Sequence, residues 1–122
     1  MTQSTKLAPI NSMIVILDPE NRVEVPTWLD GPLIASTETC ILCACYPEVD
    51  GETEFVLGSM EEVNPGGSPM FYGLLKTPNR KIALETVECQ PILGSLTMRQ
   101  ETKVRIWLSD ARFPDKVIVG ID

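Results

Sequence analysis

The stretch KVRIWLSDARFPDKVIVGI, residues 103–121, contains the clearest strand pattern in the sequence. Apolar residues fill every second position on both sides of a polar segment: Val104, Ile106 and Leu108 before it, and Val117, Val119 and Ile121 after it. A period of two places such residues on one face of an extended chain, as in a half-buried β-strand. The stretch therefore predicts two strands with a loop between them.

Shorter runs of the same kind recur along the chain, separated by Pro, Gly, Asn and Asp at intervals of about ten residues. They include MFYGLLK (70–76) and RKIALETVE (80–88), and no stripe of helical period or fixed repeat accompanies them. A chain of 122 residues forms one ordinary domain. The runs predict about eight strands, which are enough for two packed sheets. The sequence therefore predicts an all-β fold over residues 1–122, a single-domain antiparallel β-sandwich, with a small β-barrel as the alternative.

The segment DPEN, residues 18–21, predicts a tight turn because Pro19 fits the second position of such a turn. The flanking runs, SMIVIL at 12–17 and RVEV at 22–25, would then pair as a hairpin. Alternation predicts that four apolar residues of this hairpin share the core face: Ile14, Ile16, Val23 and Val25.

A second hairpin is predicted by the dipeptide Asp-Gly at 50–51, which suits two-residue turns with positive φ. The run CILCACYP, residues 40–47, would form its first strand. Because side chains alternate between faces, Cys43 and Cys45 would share one face and Cys40 would point the other way. Both faces of this hairpin are apolar, so it should lie inside a sheet and not at an edge.

Three of the four cysteines lie in that run, and Cys89 lies far downstream. A structural zinc site needs four converging ligands, commonly on tight knuckles, and a smooth strand does not supply them. The chain has no histidine and no second C-x-x-C pair to complete a site. We therefore interpret the three cysteines of this run as small apolar residues in a buried strand, with metal binding and a disulfide or reactive thiol as the alternatives.

The remaining segments predict less regular structure. Residues 26–39 are broken by proline and glycine and would hold at most one short strand. Residues 59–70, SMEEVNPGGSPM, predict a long flexible loop, and residues 1–10 are a candidate disordered segment. The start of the chain lacks the apolar core of a signal peptide, and no apolar run approaches the roughly 20 residues that cross a bilayer. These features predict a cytoplasmic protein.

Charge is distributed unevenly along the chain, whose net charge is −7. Residues 1–61 contain ten acidic and two basic residues, and residues 62–122 contain seven acidic and eight basic residues. The chain is therefore predicted to present one acidic side. Such a field repels phosphate backbones and anionic lipid, so nucleic acid and membranes are not expected partners. A basic protein is the expected partner.

The motifs of several catalytic classes are missing from the sequence. Without histidine, Ser-His-Asp and Cys-His catalysis are excluded, as are zinc hydrolases built on histidine. Neither the P-loop nor the G-x-G-x-x-G pattern of nucleotide-binding proteins is present. No catalytic residue, metal site or cofactor is therefore predicted, and an enzyme is the less favoured class.

Two kinds of residue are candidates for partner binding. Acidic residues surround the predicted hairpin tip, and two tryptophans could mark a contact surface: Glu48, Asp50, Glu52 and Glu54, with Trp107 and Trp28. Alternation places Trp107 on the polar face of its strand, where it would be exposed unless a neighbouring loop such as DARFPD covers it. The acidic tip does not match a calcium-binding loop.

The favoured hypothesis is a non-catalytic protein-interaction module, a small acidic inhibitor or immunity-like protein that binds a basic partner. One alternative is a sandwich that binds a small ligand or carbohydrate through Trp28, Trp107 and Tyr72. Another is an enzyme that depends on carboxylates such as Glu85 or Glu88. A homodimer formed through edge strands is also compatible with the sequence.

Overall fold

Two five-stranded sheets face each other in the computed structural model, which describes residues 2–22, 26 and 33–122. The strands are β1 (Gln3–Leu7), β2 (Met13–Leu17), β3 (Ile34–Ser36), β4 (Cys40–Ala44), β5 (Thr53–Ser59), β6 (Phe71–Lys76), β7 (Lys81–Thr86), β8 (Pro91–Leu96), β9 (Glu101–Leu108) and β10 (Lys116–Ile121). A 3-10 turn, Ile10–Ser12, precedes β2, and one helical turn, α1 (Met60–Val63), follows β5. The first sheet has the order β1-β5-β10-β9-β6, and the second has the order β3-β4-β2-β7-β8. The sandwich prediction is confirmed, and the sheets do not form a closed barrel.

Most neighbouring strands are antiparallel, but β5 and β10 pair in parallel at the middle of the first sheet. The alternation predicted for residues 103–121 is confirmed, because its inward side chains are buried at this centre. The sheets enclose one apolar core: Ile14, Ile16, Ile41, Cys43, Cys45, Phe55, Leu57, Leu75, Ile82, Leu84, Val104, Ile106, Val117, Val119 and Ile121. Leu108 is partly buried and packs against this core.

The hairpin predicted at residues 50–51 is wrong, because β4 belongs to the second sheet and β5 to the first. The chain crosses between the sheets instead of turning back within one. The Cys45 amide donates to the Ser12 carbonyl at 3.0 Å, and the Asp50 amide donates to the Pro47 carbonyl at 2.9 Å. The turn thus comes earlier than predicted. Both strands are nevertheless internal to a sheet, as expected from their apolar faces.

The turn predicted at DPEN is confirmed by a hydrogen bond of 2.9 Å from the Asn21 amide to the Asp18 carbonyl. β2 pairs with β4 on one side and with β7 on the other, whereas the sequence predicted pairing with residues 22–25. Residues 23–25 of the predicted partner strand lie outside the described residues. Ile14 and Ile16 are fully buried, as predicted.

Three further segments differ from the predictions. Residues 3–7, predicted as part of a disordered segment, form β1, because they pair with the edge of β5 and direct Gln3 toward the second sheet. Residues 91–96 form β8, which the sequence did not predict. Within 59–70, residues 60–63 form α1, because the Ser59 hydroxyl accepts the Glu62 amide at 3.3 Å and caps the helix.

The first sheet requires glycine at position 58, where α1 approaches β5. A Cβ at Gly58 would lie 2.7 Å from Val63 Cγ1 and 3.3 Å from the Thr2 Cα atom, whereas one at Gly94 would lie 3.6 Å from the Ile82 carbonyl oxygen. We expect Gly58→Ala to lower the free energy of unfolding by about 1–2 kcal/mol, because α1 must shift. Gly94→Ala is the matched control and should change it by less than about 0.5 kcal/mol. Urea denaturation measures both, and equal losses would contradict this packing.

Candidate functional site

Three connections meet at one end of the sandwich, which we call the loop end: residues 8–12, 45–52 and 109–115. They meet because β5 and β10 are parallel and both begin there, while β1 and β4 both finish there. The Asn11 amide donates to Glu48 Oε1 at 3.2 Å, and the Glu48 amide donates to Ser12 Oγ at 2.9 Å. The Glu54 amide donates to the Asp115 carbonyl at 2.8 Å. These hydrogen bonds join the three connections into one surface.

The loop end is acidic. Among the described residues it holds seven carboxylates and three cations, none of them buried: Glu48, Asp50, Glu52, Glu54, Glu88, Asp110 and Asp115, with Lys6, Arg112 and Lys116. Glu88 belongs to this set because β7 ends at the same end of the second sheet. The four predicted acidic residues are thus brought together. Three further carboxylates join them: Glu88, which was considered for catalysis, and Asp110 and Asp115, which were not predicted.

Three other described acidic residues of the first half lie elsewhere. Glu20, Glu38 and Glu61 are at the opposite end, so the expected single acidic side does not coincide with the first half of the sequence. Cations pair with two of these carboxylates: Lys76 with Glu38 at 3.0 Å, and Lys81 with Glu20. Hydrogen bonds to these carboxylates raise the pKa of both lysines. The uneven division of charge between the two halves of the sequence therefore does not match the distribution of charge over the surface.

A shallow cleft on the loop end is lined by charged side chains: Lys6, Glu52, Glu54, Asp115 and Lys116. Register places Glu54 between the two lysines on the outer face of the first sheet. In the described part of the chain, none of these five side chains makes an ion pair within 4.0 Å. Their charges therefore face solvent and are available to a partner.

Exposed apolar side chains accompany the carboxylates. Ile10, Val49 and Phe113 are 40%, 89% and 54% exposed, and each belongs to one of the three connections. A surface with apolar groups inside a charged rim resembles the anatomy of protein-protein interfaces. Phe113 could not be predicted as a site residue. Nothing in the local sequence shows that the DARFPD segment lies beside residues 45–52.

Side chains hold the backbone of residues 109–115 in one shape. Asp110 Oδ1 accepts the amides of Arg112 at 2.7 Å and Phe113 at 3.0 Å. These two hydrogen bonds lower the pKa of Asp110, so its carboxylate is charged at neutral pH. Ser109 Oγ accepts the Asp115 and Lys116 amides at 3.0 and 3.1 Å. The loop is therefore organised before any partner binds.

Of the two alternatives for Trp107, exposed or covered by a loop, the structure has the covered one. Its side chain points to the outer face, as alternation predicted, but it is only 6% exposed. The segment after α1 covers it, and its Nε1 donates to the Gly67 carbonyl at 3.4 Å. Tyr72 is 54% exposed, and the Arg105 guanidinium lies 4.5 Å from its ring centre. Trp28 lies outside the described residues, and Trp107 and Tyr72 do not form an open aromatic platform.

Glu85, one of the carboxylates considered for catalysis, forms a two-point ion pair with Arg22, with both N–O distances at 2.8 Å. The Glu85 side chain is 4% exposed and the Arg22 side chain is 43% exposed. The hydrogen bonds to Glu85 raise the pKa of Arg22. The Glu85 carboxylate is therefore neutralised by the Arg22 guanidinium. Glu88 lies in the exposed connection after β7.

The core interpretation of the cysteine run is confirmed. Cys40, Cys43 and Cys45 are buried, and the last two lie in the core cluster, while Cys40 faces the other side of β4 as predicted. Burial raises the pKa of the Cys43 thiol and raises that of Cys45 to about 11, so both stay protonated at neutral pH. Among the described residues, no group of three His, Cys, Asp or Glu side chains is placed to hold a metal. Nor does that part of the chain contain a helix long and apolar enough to span a membrane.

The fold belongs to the class of two-sheet β-sandwiches with a central parallel strand pair, and comparison with solved structures finds similar chains. One is ComJ, an inhibitor of the DNA degrading activity of NucA, from Bacillus subtilis, with a TM-score of 0.66 and 15% identity over 98% of this chain and 93% of that chain. Another is described as Crocagin biosynthetic gene J, with a TM-score of 0.49 and 9% identity over 98% and 94% of the two chains. No protein-family model matches the chain, and no curated protein matches it in sequence.

Proposed function

We propose that this chain is a non-catalytic inhibitor that binds a basic partner protein through the loop end. The observation that supports the proposal is the negative charge of this end. Among the described residues, its seven carboxylates outnumber its three cations. An acidic patch attracts a basic partner over several ångströms and speeds its association. The exposed apolar side chains between the carboxylates supply the area that such an interface must bury.

The partner class that we propose is a DNA-degrading enzyme. Such an enzyme attracts the phosphate backbone with lysine and arginine, so its DNA-binding cleft is basic. The structural likeness to ComJ supports this choice, because ComJ inhibits a DNA-degrading activity. Inhibition then needs occupation of the cleft and no chemical reaction. In the cytoplasm, this immunity-like role would protect the DNA of the producing cell.

The first test measures DNA degradation in a native lysate, with plasmid DNA as the substrate. Immobilised protein should retain a DNA-degrading activity at low salt and release it at high salt, because salt screens exposed charges. Soluble protein should inhibit the released activity. The proposal is overturned if the activity passes unretained and uninhibited, and if purified NucA is also neither bound nor inhibited.

Charge reversal at the loop end should weaken binding to the retained enzyme. We expect Asp50→Lys with Glu52→Lys to raise the dissociation constant about tenfold at low salt, mainly through slower association. The matched control is Glu61→Lys with Glu101→Lys, which makes the same change of charge at the opposite end and should have less than about a twofold effect. Surface plasmon resonance at two salt concentrations measures both. Equal losses for the two double variants would mean that net charge, and not the loop end, determines binding.

A further inference from the structure

Phe113 is an exposed aromatic side chain on the acidic surface of the loop end. It is 54% exposed in the connection between β9 and β10, although a phenylalanine in a small domain is usually buried. Its backbone amide is held by Asp110 Oδ1, so the ring is presented from an ordered loop. A side chain presented in this way loses little conformational freedom when a partner binds it.

Carboxylates belong to the same loop as Phe113 and to a neighbouring connection. Asp110 and Asp115 lie on either side of Phe113 in the sequence, Arg112 precedes it directly, and Glu52 lines the same cleft as Asp115. Asp115 has one oxygen engaged, Oδ1, which accepts the Ser109 hydroxyl at 2.7 Å. An exposed aromatic ring in a loop that carries two carboxylates combines a flat stacking surface with negative charge.

We propose that Phe113 is the anchor of the interface and that the loop end imitates DNA in the cleft of a DNA-degrading enzyme. This inference rests on the proposed function. Carboxylates occupy positions of phosphates and accept hydrogen bonds from the arginines and lysines of the cleft. The Phe113 ring takes the place of a base and stacks on an arginine or aromatic side chain that would otherwise hold the DNA strand.

Imitation of DNA has two consequences that do not follow from charge attraction alone. Inhibition must be competitive with DNA, because inhibitor and substrate occupy the same cleft. Affinity must also depend on the aromatic ring and not only on its apolar area. Leucine at position 113 keeps apolar area but has no ring, whereas tyrosine keeps the ring.

The experiment uses the enzyme retained from the native lysate, or NucA if that enzyme is bound, with plasmid DNA and with the full-length protein. We expect the apparent inhibition constant of the wild type to rise in proportion to DNA concentration. Phe113→Ala should raise the inhibition constant about 20-fold and Phe113→Leu nearly as much, while Phe113→Tyr should stay within about threefold of the wild type. Tyr72→Ala is the control, because Tyr72 is equally exposed but lies on β6, away from the three connections.

The outcomes separate this inference from the proposed function. If the wild type inhibits but Phe113→Ala inhibits equally well, the anchor is refuted and the inhibitor function stands. Inhibition that is independent of DNA concentration refutes imitation of DNA. If the wild type neither binds nor inhibits, the proposed function fails, and this inference fails with it. Urea denaturation of each variant verifies that the fold is retained.

Discussion

Phe55→Ala is expected to lower the free energy of unfolding by about 3–5 kcal/mol. Phe55 is fully buried and is among the largest side chains of the core. It points from β5 into the core, so the cavity would open between the two sheets. Because small domains have a total stability of about 5–15 kcal/mol, this variant should lose a large part of its stability.

Chemical denaturation with urea, followed by circular dichroism, measures this loss. The control is Phe113→Ala, which removes the same atoms from a side chain that is 54% exposed. We expect a change below about 0.5 kcal/mol for that control. Losses of similar size for the two variants would contradict the arrangement of the core.

Arg22→Met is expected to lower the free energy of unfolding by about 2–3 kcal/mol. It would leave the Glu85 carboxylate, which is 4% exposed, without its cation. Removing one member of a buried ion pair costs about 3–5 kcal/mol, and we place this case lower because the Arg22 side chain is 43% exposed.

The double variant Arg22→Met with Glu85→Leu is the control for this pair. It removes the orphaned charge, so most of the lost stability should return, as when buried ion pairs are replaced by apolar residues. Thermal and urea denaturation of the single and double variants measure the coupling. A double variant less stable than Arg22→Met would mean that Glu85 contributes through contacts other than the ion pair.

Strands in which apolar inward residues alternate with polar outward residues were predictable from the sequence. Strands that lack this alternation were not. The alternation of 103–121 is local and strong, so β9 and β10 were predicted within two residues of their observed ends. β1 was missed because two of its three inward residues, Gln3 and Thr5, are polar and are accepted at the sheet edge. β8 was missed because it begins with proline and contains Gly94, two residues that weaken strand signals.

The error at residues 50–51 has a different origin. The Asp-Gly dipeptide predicted a two-residue turn within one sheet, but the chain turns earlier, at residues 47–50, and crosses to the other sheet. Turn chemistry is local and does not specify to which sheet the next strand belongs. That choice was made by pairing of β5 with β10, from the other half of the chain. The same long-range pairing placed Asp115 beside Glu52, so the full candidate site could not be assembled from the sequence. Only its four acidic residues in 48–54 were found.

Trp107 illustrates a third limit. Alternation predicted the correct face. The side chain of Ile106 points into the core, and that of its neighbour Trp107 points to the outer face of β9. Whether an outward side chain is covered depends on a segment distant in sequence, and here the cover is the glycine-containing stretch near Gly67. Periodicity determines direction, while exposure depends on the tertiary structure.

The position of β10 at the centre of the first sheet has a consequence for how the protein is made. β10 is synthesised after the nine other described strands, yet it lies between β5 and β9. Until β10 has emerged from the ribosome, β5 and β9 cannot be joined, and their apolar residues have no partner on that edge. Sheets that depend on such distant pairing fold slowly, on a scale of about milliseconds to seconds. The nascent chain therefore exposes an incomplete sheet until β10 is available, and chaperones that hold unfinished chains should act on it during that interval.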